Sequence, residues 1–217
     1  MSVAALHYIH DPLCGWCYAA QPLVGAALAQ LGGRLALHLH GGGLFGEPRG
    51  VDATLAQHIV QSDERIARLS GQPFGEAYRQ GLLAEDGTVL YSLPPIAAVL
   101  AAESLDATKA YPMLAAIQNA HYQRGLRVAE PAVLAELAEE TGLAGAPFAQ
   151  ALARAEGHAV FEHVQAGRRL LDEAGGHGLP TLLLEADGRR ALLPHHHYYG
   201  RTEAFVQMLA AQLPALH

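Results

Sequence analysis

Cysteine is nearly absent from this sequence: Cys14 and Cys17 are the only two in 217 residues. That excludes a small secreted scaffold held together by several disulfides. Basic charge is scarce too. The formal net charge is -7, and Arg168-Arg169 and Arg189-Arg190 are isolated doublets. A nucleic-acid backbone needs clustered Lys and Arg, so it is not an expected partner. No apolar run approaches the ~18 residues of a membrane span. The opening residues, Met1 to His7, carry neither a basic n-region nor an apolar segment of signal length. The expectation is a soluble cytoplasmic protein with no membrane partner. That compartment is reducing, so a lone cysteine pair points to catalysis or sensing rather than to a structural disulfide.

What is present describes a folded chain. Apolar residues make up 51% and charged residues 16% of the sequence, enough for a substantial core. The length fits one large domain, or one domain carrying an inserted subdomain.

Residues 3–9 are rich in β-forming types and stop at Asp11-Pro12, which predicts a strand. Residues 15–31 predict a helix, with Ala19, Ala20, Leu23, Ala27 and Leu31 near helical spacing and Gly32-Gly33 as the stop. Pro22 lies inside it, where it removes a backbone donor and should kink the axis. Arg34 to His40 alternates, Leu35, Leu37 and Leu39 against His38 and His40, as a half-buried strand does.

From about 50 to 155 the pattern is helical. Asp52 caps a helix running to about Leu69, with Leu55, Ile59, Ile66 and Leu69 inward. A short helix covers 74–84. Ser92 caps a helix with Pro94 and Pro95 in its first turn, Thr108 caps the next, and Glu130-Pro131 and Pro147 open two more. Residues 157–174 are again helical. Leu179 to Glu185 is a strand, Asp187-Gly188 a hairpin turn and Arg189 to Leu193 the return strand. Glu203 to Leu213 is an amphipathic closing helix. The order is β-α-β, a helical block, then α-β-β-α. This predicts an α/β thioredoxin-like fold with a core at 1–48 and 157–217 and a large all-helical insertion at about 50–155.

Cys14-Gly15-Trp16-Cys17 stands at the first strand-to-helix junction. A thiolate is the nucleophile in disulfide exchange, and a helix N-terminus favours the anion of a cysteine placed there. Cys14 is therefore the expected attacking residue. Cys17, one turn in and on the same face, is expected to resolve the mixed disulfide. Gly15 lets the chain pack closely at the turn, and Trp16 covers the rim and offers apolar contact to a partner. A structural zinc site would need two further ligands, with His10, His38 or His40 nearby. The strand-helix placement explains the pair without one, so no metal is expected.

Three other features invite a reading. His38 and His40 share a strand face that ends near the helix start, which offers one of them to tune Cys14 or shuttle a proton to Cys17, although such residues are more often satisfied at a sheet edge. His195-His196-His197 is expected in a solvated loop, with lining of a groove near Pro180 as the rarer outcome. Gly41 to Gly46 fits G-x-G-x-x-G, but Glu47-Pro48-Arg49-Gly50 follows where a dinucleotide site needs a helix. A flexible loop near the active site is expected instead.

Asp11-Pro12-Leu13-Cys14-Gly15-Trp16-Cys17-Tyr18, Pro22, Phe74-Gly75-Glu76-Ala77-Tyr78, Ala120 to Gly125 and Gly178-Leu179-Pro180-Thr181 together resemble the DsbA-like branch of the thioredoxin superfamily. The chain is most similar to its cytoplasmic CGWC members, the FrnE-like proteins and protein-disulfide isomerases. The resemblance implies a thiol–disulfide oxidoreductase with Cys14 and Cys17 catalytic and with Trp16, Leu179 and Pro180 binding substrate. It implies that Pro180 is cis beside the cysteines; the residues alone leave cis and trans open. No bound cofactor is implied. Partners are protein or small-molecule thiols and disulfides, with glutathione as a candidate co-substrate. Kappa-class glutathione transferases and hydroxychromene-carboxylate isomerases share this architecture but normally carry serine where Cys14 stands, and a peptide-binding module would need neither cysteine.

Overall fold

The computed structural model describes residues 4–143 and 145–213, so the expected strand start at Val3 lies outside the described residues. Strand β1 (Ala4–His10) enters the core and is followed by helix α1 (Gly15–Leu31) and strand β2 (Leu35–Gly41). A two-residue strand, β3 (Arg49–Gly50), precedes helix α2 (Ala53–Ser70), a π-helical turn (Ala77–Leu82) and a second short strand, β4 (Val89–Leu90). Helices α3 (Leu93–Leu105), α4 (Ala110–Tyr122), α5 (Pro131–Glu140), α6 (Ala146–Ala155) and α7 (His158–Glu173) follow. Strands β5 (Thr181–Ala186) and β6 (Arg189–Leu192) and helix α8 (Thr202–Ala210) complete the chain.

The main sheet has the order β2-β1-β5-β6. β1 runs parallel to β2, with Leu6 opposite Leu37, and antiparallel to β5, with Tyr8 opposite Leu182. β5 and β6 form the hairpin around Asp187-Gly188, and Asp187 takes the left-handed conformation such a tight turn requires. β3 and β4 pair with each other, apart from this sheet, so the stretch between β2 and α7 carries one small ribbon among its helices. Among the described residues no helix is long and apolar enough to cross a membrane.

Helix α1 lies against the sheet through Cys17, Ala20, Leu23, Val24, Ala27 and Leu31, all buried. The fully buried branched chains are each worth roughly 1.5–3 kcal/mol of burial. Pro22 has no N–H to return to the Tyr18 carbonyl one turn back. The freed carbonyl oxygen accepts instead from the Gln72 side-chain amide at 2.8 Å. The helix thus continues through its proline because the segment after α2 satisfies the orphaned acceptor.

The block at about 50–155, expected to be all-helical, is not: its β4 strand pairs with β3. Four further sequence expectations change. Ser92 does not cap α3 with its side chain. The N–H groups a capping hydroxyl would bind belong to Pro94 and Pro95, which have none, and the Ser92 hydroxyl is used elsewhere. Thr108 does not cap α4 either. It sits in a short 3-10 turn, where the Asp106 carboxylate accepts from its N–H at 2.9 Å. The segment 74–84 narrows to the π-helical turn at Ala77–Leu82. Finally, Leu69 faces solvent at 50% exposure, while Asp63 and Ser70 turn inward beside Ile66. Ile59 and Ile66 still pack on the core, and the Asp63 side chain beside them reaches the start of α1 at Gly15.

Candidate active site

Cys14 is the N-cap of α1, in extended conformation, and its carbonyl accepts the first helical hydrogen bond, from Tyr18 N–H at 3.0 Å. Its side chain is 7% exposed; that of Cys17 is fully buried. Both thiols are free. The main-chain N–H of Asp11 donates to Cys17 Sγ at 3.3 Å. Burial, and then the hydrogen bond with and the charge of the Cys14 sulfur beside it, push the Cys17 thiol well above its ordinary range. The pair is therefore asymmetric: Cys14 keeps a small opening onto a cavity, while Cys17 is sealed inside and resists ionising.

The Leu179–Pro180 peptide bond is cis. It brings the Leu179 carbonyl to 3.6 Å from Cys14 Sγ, which donates to it. Leu179 sits just beyond the sheet register, which begins with Thr181 opposite Ile9. Trp16 is half-buried and stacks on Tyr199, ring centres 5.6 Å apart. The Arg65 guanidinium lies over its ring at 5.9 Å.

Asp11 organises the turn from beneath. Its carboxylate is completely buried and accepts three hydrogen bonds, from Leu13 N–H (2.9 Å), the Ser92 hydroxyl (2.9 Å) and Leu44 N–H (2.6 Å). One side chain thereby ties the cysteine turn to α3 and to the glycine-rich loop. Burial raises its carboxyl to about 6 against those stabilising donors. The loop at Gly41–Gly46, expected to be flexible, is pinned. Arg168 donates to the carbonyls of Gly42 and Gly43 at 2.9 and 2.6 Å. A Cβ on Gly42 would come within 2.6 Å of the Leu179 side chain, so glycine there lets Leu179 close over the site.

Two cavities flank Cys14, with Trp16, Gly178 and Leu179 as the ridge between them. The first, of about 560 Å³, is a groove along Gly175–Thr181, Leu193, His195 and Tyr199. The second, of about 400 Å³, is walled by α2 and the helical block and is the one that Cys14 itself lines. Behind it Tyr18, Phe74, Tyr78, His121 and Tyr122 form an aromatic cluster, with Tyr18 stacked on Tyr122 at 4.7 Å. The two helical-block motifs meet backbone to backbone here. Gly75 N–H donates to the Tyr122 carbonyl at 2.8 Å, and a Cβ on Gly75 would overlap the Gln123 carbonyl.

The histidines divide. His195 is not solvated: its Nε2 lies 3.1 Å from the Pro180 carbonyl, its Nδ1 3.2 Å from the Tyr199 hydroxyl, and it lines the groove. His196 and His197 are exposed. His38 and His40 group with His7, the His7 and His40 rings 3.0 Å apart nitrogen to nitrogen, and neither lines a cavity at Cys14. Among the described residues no group of three or more His, Cys, Asp or Glu is arranged to hold a metal ion.

No family model and no curated protein matches the chain. Solved structures do. The cytosolic disulfide reductase DsbM from Pseudomonas aeruginosa is 45% identical, with a TM-score of 0.89 over 96% of this chain and 98% of that one. The chain belongs to the DsbA-like thiol–disulfide oxidoreductases. DsbM in its structure with GSH superposes at a TM-score of 0.88 with 44% identity, covering 96% of this chain and 98% of that one. A Nitrosomonas europaea protein provisionally assigned as a protein disulfide isomerase shares the fold, at 24% identity and a TM-score of 0.81 over 97% of both chains. The activity of this DsbA-like chain is thiol–disulfide oxidoreduction.

Several residues of this site were not predicted from sequence. Asp11 opens the block that carries the family resemblance, but the sequence gives it no role beyond ending the first strand. Asp63 has no local signal, Ser92 carries that of a helix cap, and Tyr78 stands in a resemblance block without a role, because their roles come from elements far apart in sequence meeting at the cysteine turn.

Proposed function

We propose that the chain is a cytoplasmic disulfide reductase that draws its electrons from glutathione. The observation that carries this reading is the Cys14 sulfur at the N-terminus of α1, lining a cavity and 3.6 Å from the Leu179 carbonyl, with the fully buried Cys17 behind it. Cys14 thiolate attacks a substrate disulfide, forming Cys14–S–S–R and releasing the other half as a thiol after protonation. Cys17 then attacks the Cys14 sulfur, its proton passing to the departing RS⁻. The Cys14–Cys17 disulfide so formed is reduced by two glutathione molecules, which leave as glutathione disulfide.

The direction rests on the 45% identity to a protein described as a cytosolic disulfide reductase. The choice of glutathione rests on the relative studied with GSH and on the groove beside Pro180. There an extended peptide lies along Leu179 like an added strand, between Trp16 and His195. Arg65 at the Trp16 rim supplies a cation for a glutathione carboxylate.

The test is Cys14→Ser in a glutathione-coupled disulfide reduction assay. Complete loss supports the assignment. Retained turnover with Cys17 alone would overturn it.

A further inference from the structure

The cavity between α2 and the cysteine turn plays no part in the reaction as derived so far, yet it is the one onto which Cys14 opens. Its walls are apolar: Leu13, Phe45, Ile59 and Ile66 contribute. One carboxylic acid interrupts them. Asp63 is buried, and its Oδ2 accepts from the Tyr78 hydroxyl at 2.9 Å. Its other oxygen reaches the active-site turn, since a Cβ placed on Gly15 would lie 2.8 Å from Asp63 Oδ1. A lone carboxyl in an apolar cavity is costly unless it is protonated or paired.

Disulfide exchange requires three sulfurs in line, so the two halves of the substrate point into different spaces. With the retained half along the Leu179–Pro180 groove, the departing half falls on the other side of the Trp16–Leu179 ridge. We propose that the α2 cavity takes the departing half of the substrate disulfide, as an uncharged apolar substituent on sulfur, and that Asp63 is the catalytic acid that protonates the departing sulfur. The proposal rests on the reading of Cys14 as nucleophile. The Cys14 thiolate forms the new S–S bond as the substrate S–S bond breaks, and the electron pair leaves on R'S⁻. The Asp63 carboxylic acid then gives its proton to R'S⁻, yielding R'SH and a carboxylate that regains a proton from water.

The surroundings suit this role. The titratable groups that share the cavity are Cys14, His58, Tyr78, His121 and Tyr122, and none of them is a second acid of carboxylic strength. Burial holds the His121 imidazole neutral, down at about 4, and the same effect raises the Asp63 carboxyl to about 7, against the Tyr78 hydrogen bond and the Arg79 charge. Asp63 therefore carries a transferable proton near neutral pH, where a general acid is most effective. A purely structural acid would only anchor Tyr78.

The test compares two uncharged substrates in single turnover, bis(2-hydroxyethyl) disulfide, whose alkyl thiolate needs a proton, and 4,4'-dithiodipyridine, whose leaving group does not. Asp63→Asn keeps the shape and an acceptor for Tyr78. It is expected to lower the ratio of alkyl to pyridyl rates at least about tenfold and to abolish the fall in the alkyl rate above pH ~7. A ratio within about twofold of the parent, with the pH limb intact, overturns the proposal. Should Asp63→Asn fail to fold, Tyr78→Phe provides the second reading. Removing a donor to the carboxylate raises its pKa, so the limb must move to higher pH; an unmoved limb overturns the proposal. Cys14→Ser separates the two levels: if it stays active, the nucleophile assignment itself has failed.

Discussion

Cys14 and Leu179 lie 165 residues apart in sequence, yet the sulfur of one sits 3.6 Å from the carbonyl oxygen of the other. Each is brought there by its own segment. Cys14 stands where β1 hands over to α1, and Leu179 where α7 hands over to β5. The adjacent β1 and β5 strands hold the two junctions at one end of the sheet. The glycine-rich loop after β2 completes the enclosure, because Gly42 leaves room for the Leu179 side chain.

Gly15→Ala should destabilise the protein despite alanine's better helix propensity. Propensity favours Ala by roughly 1 kcal/mol in a helix interior. Against that, the new methyl meets Asp63 Oδ1 and Ile66 Cδ1, both at 2.8 Å, and overpacking of this kind costs about 1–3 kcal/mol. The second effect wins because the obstructing groups belong to a packed helix. Urea denaturation should show a lower midpoint with an unchanged slope. A midpoint at or above that of the parent would contradict the contact.

Asp11→Asn should also destabilise. The carboxylate accepts from Leu13, Ser92 and Leu44 through its two oxygens. An amide turns one of those oxygens into a donor facing a donor, at a cost of about 1–3 kcal/mol for the unmet group. The Asp11 carboxyl is raised to about 6 from an ordinary 3.8. Its contribution to stability is therefore lost as pH rises through that window. The difference in unfolding free energy between parent and variant should shrink from pH 4 towards pH 6, as the parent loses this contribution.

Stability at acid pH should be governed by His10 and His40, the histidines that burial holds neutral. Burial first, and neighbouring imidazoles next, hold His10 down at about 3 and His40 at about 4, against an ordinary 6.5. The unfolded chain binds protons that these groups refuse in the folded state. Their contribution is thus complete above pH 6.5 and is lost as pH falls towards 4. His40→Gln should flatten the fall in unfolding free energy over that range. An unchanged slope would show that His40 does not titrate on unfolding as described.

The parts of the fold that rest on local signals were legible in the sequence. Pro131 and Pro147 open helices in their first turns, Asp52 caps α2 through Leu55 N–H, and Asp187-Gly188 turns the β5–β6 hairpin. What sequence could not supply was which face an element shows. Leu69 looks inward by periodicity and is exposed, because α2 turns Asp63 towards the cysteine turn. Ser92 looks like a cap and instead binds Asp11 from 81 residues away. His195 looks like one of three solvated histidines, and only the Pro180 carbonyl and the Tyr199 hydroxyl distinguish it. For Leu69 and Ser92 the deciding contact is remote in sequence, where periodicity and capping rules carry no information; for His195 it depends on the Pro180 loop folding against it.

In the proposed cycle Cys14 attacks and Cys17 resolves. The most direct measurement is the intact mass of Cys17→Ser after exposure to glutathione disulfide, followed by peptide mapping. One glutathione is expected as a mixed disulfide on Cys14, released by added thiol and absent from Cys14→Ser. A variant that stays unmodified, or a Cys14→Ser protein that acquires the adduct on Cys17 just as readily, would contradict it.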